Sequence, residues 1–257
     1  MHILLTNDDG FNSDGIQILA KHCREAGYET TIAAPKEERS AASHSITLRR
    51  PITVEKIAEG EYSIDGTPVD CVTIALQKLA KHPPDLVISG INAGQNMGED
   101  IHSSGTVAAA KEAAFLGHKA IAVSLTAYKD QIYDTASFWM VKLLKRGFIN
   151  ILDNNMVMNI NVPNVPIDQI KGIKLTTVGH RKYYNFLKLI DKKENIFSYL
   201  IEGDLPIWER KKGTDAEAIA ENYISLTPLG FNMTKGDAFP ALMEWLEENE
   251  KFLLSDR

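Results

Sequence analysis

A chain of 257 residues with 44% hydrophobic residues is long enough to bury a sizeable core. Its formal net charge of −6 argues against a general nucleic-acid-binding protein, although a local basic patch stays open. Cys23 and Cys71 lie in helical patterns without metal-ligand spacing, so we expect reduced thiols and a cytoplasmic protein. The apolar N-terminal run is too short for a signal peptide, and no apolar stretch approaches a membrane span.

The first half of the chain alternates short apolar segments with amphipathic ones. Strands are predicted at 2–6, 29–33, 45–49, 52–54, 62–64, 85–89 and 119–125, and helices at 14–26, 68–80 and 105–115. Gly27 and Gly117 end two of these helices, and Pro68 begins the third. Strands separated by helices of this length predict an α/β fold with a doubly wound, mostly parallel sheet.

The second half is less regular. We predict a helix at 133–145, strands at 156–163 and 223–226, and a C-terminal helix at 237–248. Residues 180–212 are aromatic, strand-like and locally basic, with eight Lys or Arg against five Asp or Glu. Such a segment has no obvious core of its own, which fits an arm that packs on another subunit and equally fits a solvated hairpin.

Two adjacent carboxylates, Asp8 and Asp9, follow the first predicted strand. Adjacent carboxylates repel each other unless a cation or a proton neutralises them, and Mg²⁺ or Mn²⁺ takes oxygen ligands. Asp-Asp-Gly is also ordinary turn chemistry, and acidic residues favour the start of a helix. The motif by itself therefore leaves a metal site and a structural turn open.

Three loops converge at one sheet edge if the sheet is doubly wound. Besides the two carboxylates, they supply the polar residues Ser40, Ser43, His44, Ser45, Asn92, Asn96, Asp100, Ser103 and Ser104. The last loop ends in Ser104-Gly105-Thr106 at a predicted helix start, where free N–H groups and the helix dipole favour a phosphate. A pair of carboxylates beside a phosphate-binding helix start indicates metal-assisted phosphoryl chemistry.

Rival phosphate-binding and hydrolase signatures are missing. The chain contains no GxxxxGK[ST], no GxGxxG after the first strand and no GxSxG. A haloacid-dehalogenase-like phosphatase needs Asp-x-Asp after its first strand, whereas this chain has Asp8-Asp9-Gly10-Phe11.

Six motifs, in order over nearly the whole chain, resemble the SurE family of stationary-phase survival proteins. They are NDDG at 7–10, RSAASHSIT at 39–47, SGINAGQN at 89–96, SGTVAAAKEA at 104–113, MNINVP at 158–163 and GTDAEAIAENYISLTPL at 213–229. The resemblance implies one Rossmann-like domain over 1–257, with a core at about 1–165. It also implies a β-hairpin and helix extension at about 166–257, exchanged between subunits of a homodimer or homotetramer.

The resemblance further implies a metal-dependent 5′-nucleotidase that hydrolyses nucleoside 5′-monophosphates, with 3′-monophosphates and short polyphosphate as further candidate substrates. The implied metal ligands, for one Mg²⁺ or Mn²⁺ per subunit, are Asp8, Asp9, Ser40 and Asn92, and the implied phosphate-binding residues are Asn96, Ser104, Gly105 and Thr106. Ser103 stands where relatives often carry an aromatic residue or His, and Ala41 where Gly is common.

Asp8 and Asp9 are the predicted catalytic residues, with Asp8 as general base or nucleophile. His44 and His102 are candidates to protonate the leaving alkoxide, and a solvated loop histidine is the alternative for each. Two non-enzymatic alternatives stay open: a metal-dependent nucleotide sensor, and an RNA-binding protein that uses the basic segment at 180–212. We expect a nucleoside monophosphate as the substrate, no stable nucleic-acid complex and no membrane association.

Overall fold

The computed structural model describes residues 1–182, 187–201, 207–209 and 211–254. Its elements, in chain order, are β1 (His2–Thr6), α1 (Asp14–Glu25), β2 (Glu29–Pro35), β3 (Val54–Ala58), β4 (Glu61–Ile64), α2 (Pro68–Ile74), β5 (Leu86–Ala93), α3 (Gly105–Phe115), β6 (Ala120–Leu125), α4 (Tyr133–Lys145), β7 (Met156–Val162), β8 (Gly172–Leu175), β9 (His180–Lys182), β10 (Leu187–Lys193), β11 (Ile196–Ile201), β12 (Ile207–Glu209), α5 (Asp215–Ala220), β13 (Tyr223–Gly230) and α6 (Phe239–Leu254).

The centre of the fold is a nine-stranded, mostly parallel sheet in the order β3-β4-β2-β1-β5-β6-β7-β13-β8. Only the β3–β4 and β7–β13 pairs among its neighbours are antiparallel. The chain runs outward from β1 to β2 in one direction and to β5, β6 and β7 in the other. The order of the strands therefore reverses between β1 and β5, where a doubly wound sheet opens its ligand crevice.

Helices cover both faces of the sheet, as the alternating sequence pattern predicts. On one face α1 and α4 pack through residues such as Leu19 and Met140. On the other face α2 and α3 pack through Val72, Val107 and Ala110. Alanines on α3 let it lie close to the sheet, since a short side chain keeps the two backbones near each other. The predicted α/β class is confirmed.

Some predicted boundaries are wrong. Residues 45–49 form no strand, and the edge strand β3 begins at Val54 rather than at 52. Arg49 has a φ of +62°, which interrupts an extended run there. The helix expected at 68–80 is α-helical only to Ile74 and continues as a π-helical turn over Ala75–Leu79.

The main sheet does not stop at residue 165, where the sequence places the end of the core. Strand β13 inserts between β7 and β8, antiparallel to the first and parallel to the second. Between β8 and α5 the chain forms two small antiparallel pairs, β10–β11 and β9–β12, so the strand-like reading of 180–212 holds for its described residues.

The β10–β11 hairpin and α6 carry large apolar side chains on their surfaces. In the hairpin the most exposed are Ile196 and Ile201, at 71% and 79%. On α6, the exposed large apolar side chains among those that the structure describes are Phe239, Leu242, Met243, Trp245 and Leu246. Within the ranges that the structure describes, no helix combines the length and apolarity needed to cross a bilayer.

Candidate active site

The carboxyl ends of β1, β2, β5 and β6 carry loops that meet at one edge of the sheet. β1 pairs with β2 and β5, and β5 pairs with β6, all in parallel. This convergence is the one predicted for the loops after β1, β2 and β5. The loop after β6 was not among those predicted, although the predicted strand at 119–125 ends at the same edge.

Asp8 is almost fully buried where β1 ends. Its Oδ1 accepts a 2.5 Å hydrogen bond from the hydroxyl of Thr106, in the first turn of α3. Burial raises the pKa of Asp8, and the Thr106 hydroxyl acts against this rise. A carboxylate held in this way is costly to keep charged without a nearby cation.

Asp9 lies beside Asp8 and faces the end of β5. Its Oδ2 accepts the backbone N–H of Ala93 at 3.0 Å. Burial and then the charge of Asp8 raise the pKa of Asp9 to about 6. On the same strand Asn92 donates its side-chain N–H to the carbonyl of Gly94 at 2.8 Å, so its amide oxygen is the atom available to a ligand.

Ser40 comes from the loop after β2, which is tied to the first loop where the Arg39 N–H donates to the Asp8 carbonyl at 2.7 Å. The Ser40 hydroxyl donates to Glu38 at 2.5 Å, which leaves its oxygen lone pairs for a cation. The negative charge of Glu38 also contributes to raising the pKa of Asp8 and Asp9. Ala41 has a φ of +55°, a conformation that favours glycine.

Asn96 is buried and is held by side chains of the two adjoining strands. The side chain of Asn161 binds the backbone of Asn96: it accepts the Asn96 N–H at 2.9 Å and donates to the Asn96 carbonyl at 3.0 Å. Asn159 donates to the same carbonyl at 2.8 Å, and the Asn96 side chain donates one N–H to Ser124. Its second amide hydrogen is free to donate to an anion. The MNINVP motif therefore positions the Asn96 loop.

At the start of α3, Thr106 contacts Asp8 and Ser104 lines the cleft. The Ser104 hydroxyl accepts from the Val107 N–H at 3.1 Å and so caps the helix. The Thr106 hydroxyl donates to Asp8, so a phosphate-binding role of Thr106 rests on its backbone N–H and stays a prediction. A Cβ on Gly105 would lie 2.8 Å from both Cβ and Oδ2 of Asp8, so only glycine lets this helix start approach the carboxylate.

These loops enclose a cleft of about 230 Å³. It is lined by Asp8, Ser40, Ala41, Asn92, Ala93, Gln95, Asn96, Asp100, Ser103, Ser104, Tyr128 and Arg181. Of the eight predicted site residues, five line this cleft, while Asp9, Gly105 and Thr106 contact other site residues beside it. Glu38, Tyr128 and Arg181 belong to the site but were not predicted from the sequence.

Arg181 lies on the cleft and belongs to β9, in the segment 180–212, which we call the arm. Its side chain is almost buried, pairs with Asp100 and stacks on Trp208, whose ring centre lies 5.0 Å from its guanidinium carbon. Glu99 accepts the Arg181 backbone N–H at 2.8 Å and pairs with His180, which fixes β9 on the turn before α3. A guanidinium group therefore lies on the lining of the same cleft as Asp8. No short motif marks it, because Arg181 lies outside the loops of the parallel strands.

The two candidate histidines do not line the cleft. His44 bonds to Glu112 at 2.9 Å, and Glu112 also accepts from Thr73. His102 is exposed at the end of a 3₁₀ turn at Gly98–His102, where its carbonyl accepts from the Ser43 hydroxyl. The bond to Glu112 gives His44 a structural role between the second loop and α3.

The oxygen donors that meet here suit a hard divalent cation. Two carboxylates, one amide oxygen and one hydroxyl are the ligand types that Mg²⁺ and Mn²⁺ prefer. The described residues contain no group of three or more His, Cys, Asp or Glu placed to hold a metal, so such a cation would depend on Ser40 and Asn92 as well as the carboxylates. The residues present fit the expected group.

The sequence matches the family described as Survival protein SurE over residues 3–185. It is 42% identical to "5′-nucleotidase SurE" of Mannheimia succiniciproducens, covering 96% of this chain and 99% of that one. It is 40% identical to the protein of the same name from Carboxydothermus hydrogenoformans, covering 97% and 98%. The fold is similar to the crystal structure of the SurE protein from Aquifex aeolicus, with a TM-score of 0.83 and 32% identity over 96% of this chain and all of that one.

Proposed function

This chain belongs to the SurE family, and we propose that it is a metal-dependent 5′-nucleotidase that releases phosphate from nucleoside 5′-monophosphates. The observation that supports this proposal best is the meeting of Asp8, Asp9, Ser40 and Asn92 beside the start of α3. Charges of both signs line the cleft, carboxylates and the guanidinium of Arg181, and this suits a cation and a phosphate that bind together.

The chain's own residues bind and orient the phosphate in this proposal. The free amide hydrogen of Asn96, the Ser104 hydroxyl and the backbone N–H of Gly105 donate to phosphate oxygens, as helix starts commonly do. Arg181, held by Asp100 and Trp208, adds positive charge to the cleft. A bound Mg²⁺ or Mn²⁺ would neutralise negative charge on the phosphate and make its phosphorus more electrophilic.

Asp8 acts on the attacking side. The hydroxyl of Thr106 fixes its carboxylate, so its other oxygen, Oδ2, faces a reacting group in a defined orientation. Asp8 as a base towards water gives one displacement and inversion at phosphorus, whereas Asp8 as the nucleophile gives two displacements and retention. Hydrolysis of a phosphate ester chiral at phosphorus separates these two roles.

The first experiment follows phosphate release from 5′-AMP by EDTA-stripped protein, with and without Mg²⁺ or Mn²⁺. We expect release only with metal, and a loss of at least about 1,000-fold in Asp8→Asn, since that variant removes the charge and keeps the shape. Asp134→Asn, on the exposed surface of α4, is the matched control. Calorimetric titration of Mn²⁺ gives a second readout, in which Asp8→Asn should bind the metal much more weakly.

Two outcomes would contradict the proposal. Near-wild-type turnover in folded Asp8→Asn would remove the carboxylate from the chemistry. Metal and 5′-AMP binding without any phosphate release would instead make the chain a nucleotide sensor. The same assay with 3′-AMP and short polyphosphate tests whether those compounds are further substrates.

We also propose that the arm and α6 are contact surfaces in a homodimer or homotetramer with exchanged C-terminal extensions. Exposed apolar side chains cluster on β10–β11 and α6, which make few contacts with the main sheet among the residues that the structure describes. Contiguous apolar surface of this kind usually lies at an interface between protein chains. A cytoplasmic location stays a prediction, with which the free thiols of Cys23 and Cys71 agree.

A further inference from the structure

Tyr128 is the one aromatic residue on the lining of the cleft, as far as the structure describes that lining. It lies in the loop after β6, and 64% of the residue is exposed. No hydrogen bond, ion pair or charge of the proposed phosphate chemistry requires an aromatic ring there. An exposed aromatic side chain beside a polar cleft is a feature that calls for a ligand.

Gly94 fixes the position of this ring. The Gly94 N–H donates to the carbonyl of Leu125, which brings the loops after β5 and β6 together. A Cβ on Gly94 would lie 2.3 Å from Tyr128 Cε1, so the ring occupies the space that a side chain would fill. The ring contacts Gly94, and Asn92, a proposed metal ligand, donates a hydrogen bond to the Gly94 carbonyl. The ring is therefore close to the proposed metal site.

The ring meets Gly94 with its face. The same Cβ position is 2.8 Å from Cζ and 2.9 Å from Cδ1, only 0.5 and 0.6 Å farther than from Cε1. If this Cβ position lay in the plane of the ring, beyond Cε1, its distances to Cζ and Cδ1 would exceed the distance to Cε1 by a larger margin. The small differences therefore place it above the face of the ring. One face is therefore covered by backbone, and the exposure of the residue belongs largely to the opposite face.

The volume of the cleft indicates what that open face meets. Small-molecule sites usually measure about 300–1,000 Å³, and this cleft holds about 230 Å³. It accommodates the phosphate and part of the sugar, so the rest of a nucleotide lies at the rim. Trp208, which lies near the cleft, is already stacked on Arg181.

We propose that the open face of Tyr128 stacks on the base of the nucleoside monophosphate, an inference that rests on the proposed function. Stacking recognises a flat π-system and not a particular set of hydrogen-bond donors and acceptors. Tyr128 therefore distinguishes nucleotides from phosphorylated sugars that lack a base. It discriminates weakly among the bases, with purines favoured because they offer the larger face.

The test compares kcat/KM for 5′-AMP with kcat/KM for ribose 5-phosphate in each variant. Tyr128→Ala should lower this ratio by about 5- to 150-fold, the range that alanine substitution gives for base–aromatic stacking. Tyr128→Phe keeps the ring and should keep the ratio, as should Phe138→Ala, which removes an exposed aromatic side chain on α4. An unchanged ratio in Tyr128→Ala would overturn the stacking role.

Equilibrium dialysis of labelled 5′-AMP keeps this result separate from the fate of the nucleotidase proposal. Weaker binding in Tyr128→Ala, with binding retained in Tyr128→Phe, would support stacking even if the wild-type protein released no phosphate. Equal binding by all three proteins would overturn stacking even in an active enzyme.

Discussion

At the scale of single residues, Gly105 shows how closely the site is packed. It is the first residue of α3, where alanine would suit the backbone as well as glycine does. The reason for glycine lies outside the helix, because the missing Cβ is the space that Asp8 occupies. Glycine at this position is therefore required by the contact with Asp8 and not by helix formation.

Gly105→Ala should lower kcat/KM for 5′-AMP by about 100-fold, because a displacement of Asp8 by a fraction of an ångström misaligns the reacting groups. The midpoint of thermal unfolding should change little by comparison. Gly236→Ala is the matched control, since a Cβ there meets nothing within 4 Å. Full activity in Gly105→Ala would show that Asp8 tolerates displacement.

The two cysteines should be unreactive in the folded protein. Burial raises the pKa of Cys23 to about 12 and raises the pKa of Cys71 well above its usual value, while the thiolate is the reactive form. Because the folded-state pKa values are raised, the reactive fraction stays small up to about pH 9. We expect negligible labelling by a disulfide reagent at pH 8 and two labelled thiols per chain in denaturant. Rapid labelling of the native protein would contradict the burial.

At the scale of elements, the sequence predicted the strand–helix alternation because apolar periodicity is a local property. It also located the loops after β1, β2 and β5, since their polar residues directly follow buried strands. The position of Tyr128 depends on which strands are neighbours, and that of Arg181 on where the arm packs. A local sequence pattern predicts neither the strand order nor the packing of the arm. The failed strand at 45–49 has a similar cause, since its backbone is held by distant groups such as Asp70, which accepts the Thr47 N–H.

Asn161 joins two elements, because its amide satisfies both backbone groups of Asn96 from the neighbouring end of β7. Asn161→Ala should lower the free energy of unfolding by about 2 kcal/mol, since a buried N–H loses its acceptor. Activity should fall as well, because Asn96 is no longer fixed. Urea unfolding of this variant beside Asn155→Ala, which alters an exposed asparagine before β7, checks the expectation.

At the scale of the whole molecule, the apolar surface is unevenly placed. On α6, Phe239, Leu242, Met243 and Leu246 follow the i, i+3, i+4, i+7 spacing of one helix face, and all are about half exposed. A face of this kind is usually covered in the native assembly.

Introducing charge on this face should therefore disrupt assembly. Leu242→Asp combined with Leu246→Asp should shift the mass measured by light scattering towards that of the monomer. Glu247→Lys with Glu248→Lys, also on α6, controls for a change of charge alone. An unaltered mass in the leucine variant would exclude α6 from the interface.

The insertion of β13 between β7 and β8 has a consequence for synthesis on the ribosome. Residues 163–222, sixty in all, separate β7 from the strand that covers its free edge. At about 5–20 residues per second, the nascent chain presents the unpaired backbone groups of that edge for roughly 3–12 s before synthesis of its partner strand begins. During this interval the incomplete sheet can pair with other chains. Folding of the newly made protein should therefore depend on chaperones that shield strand edges.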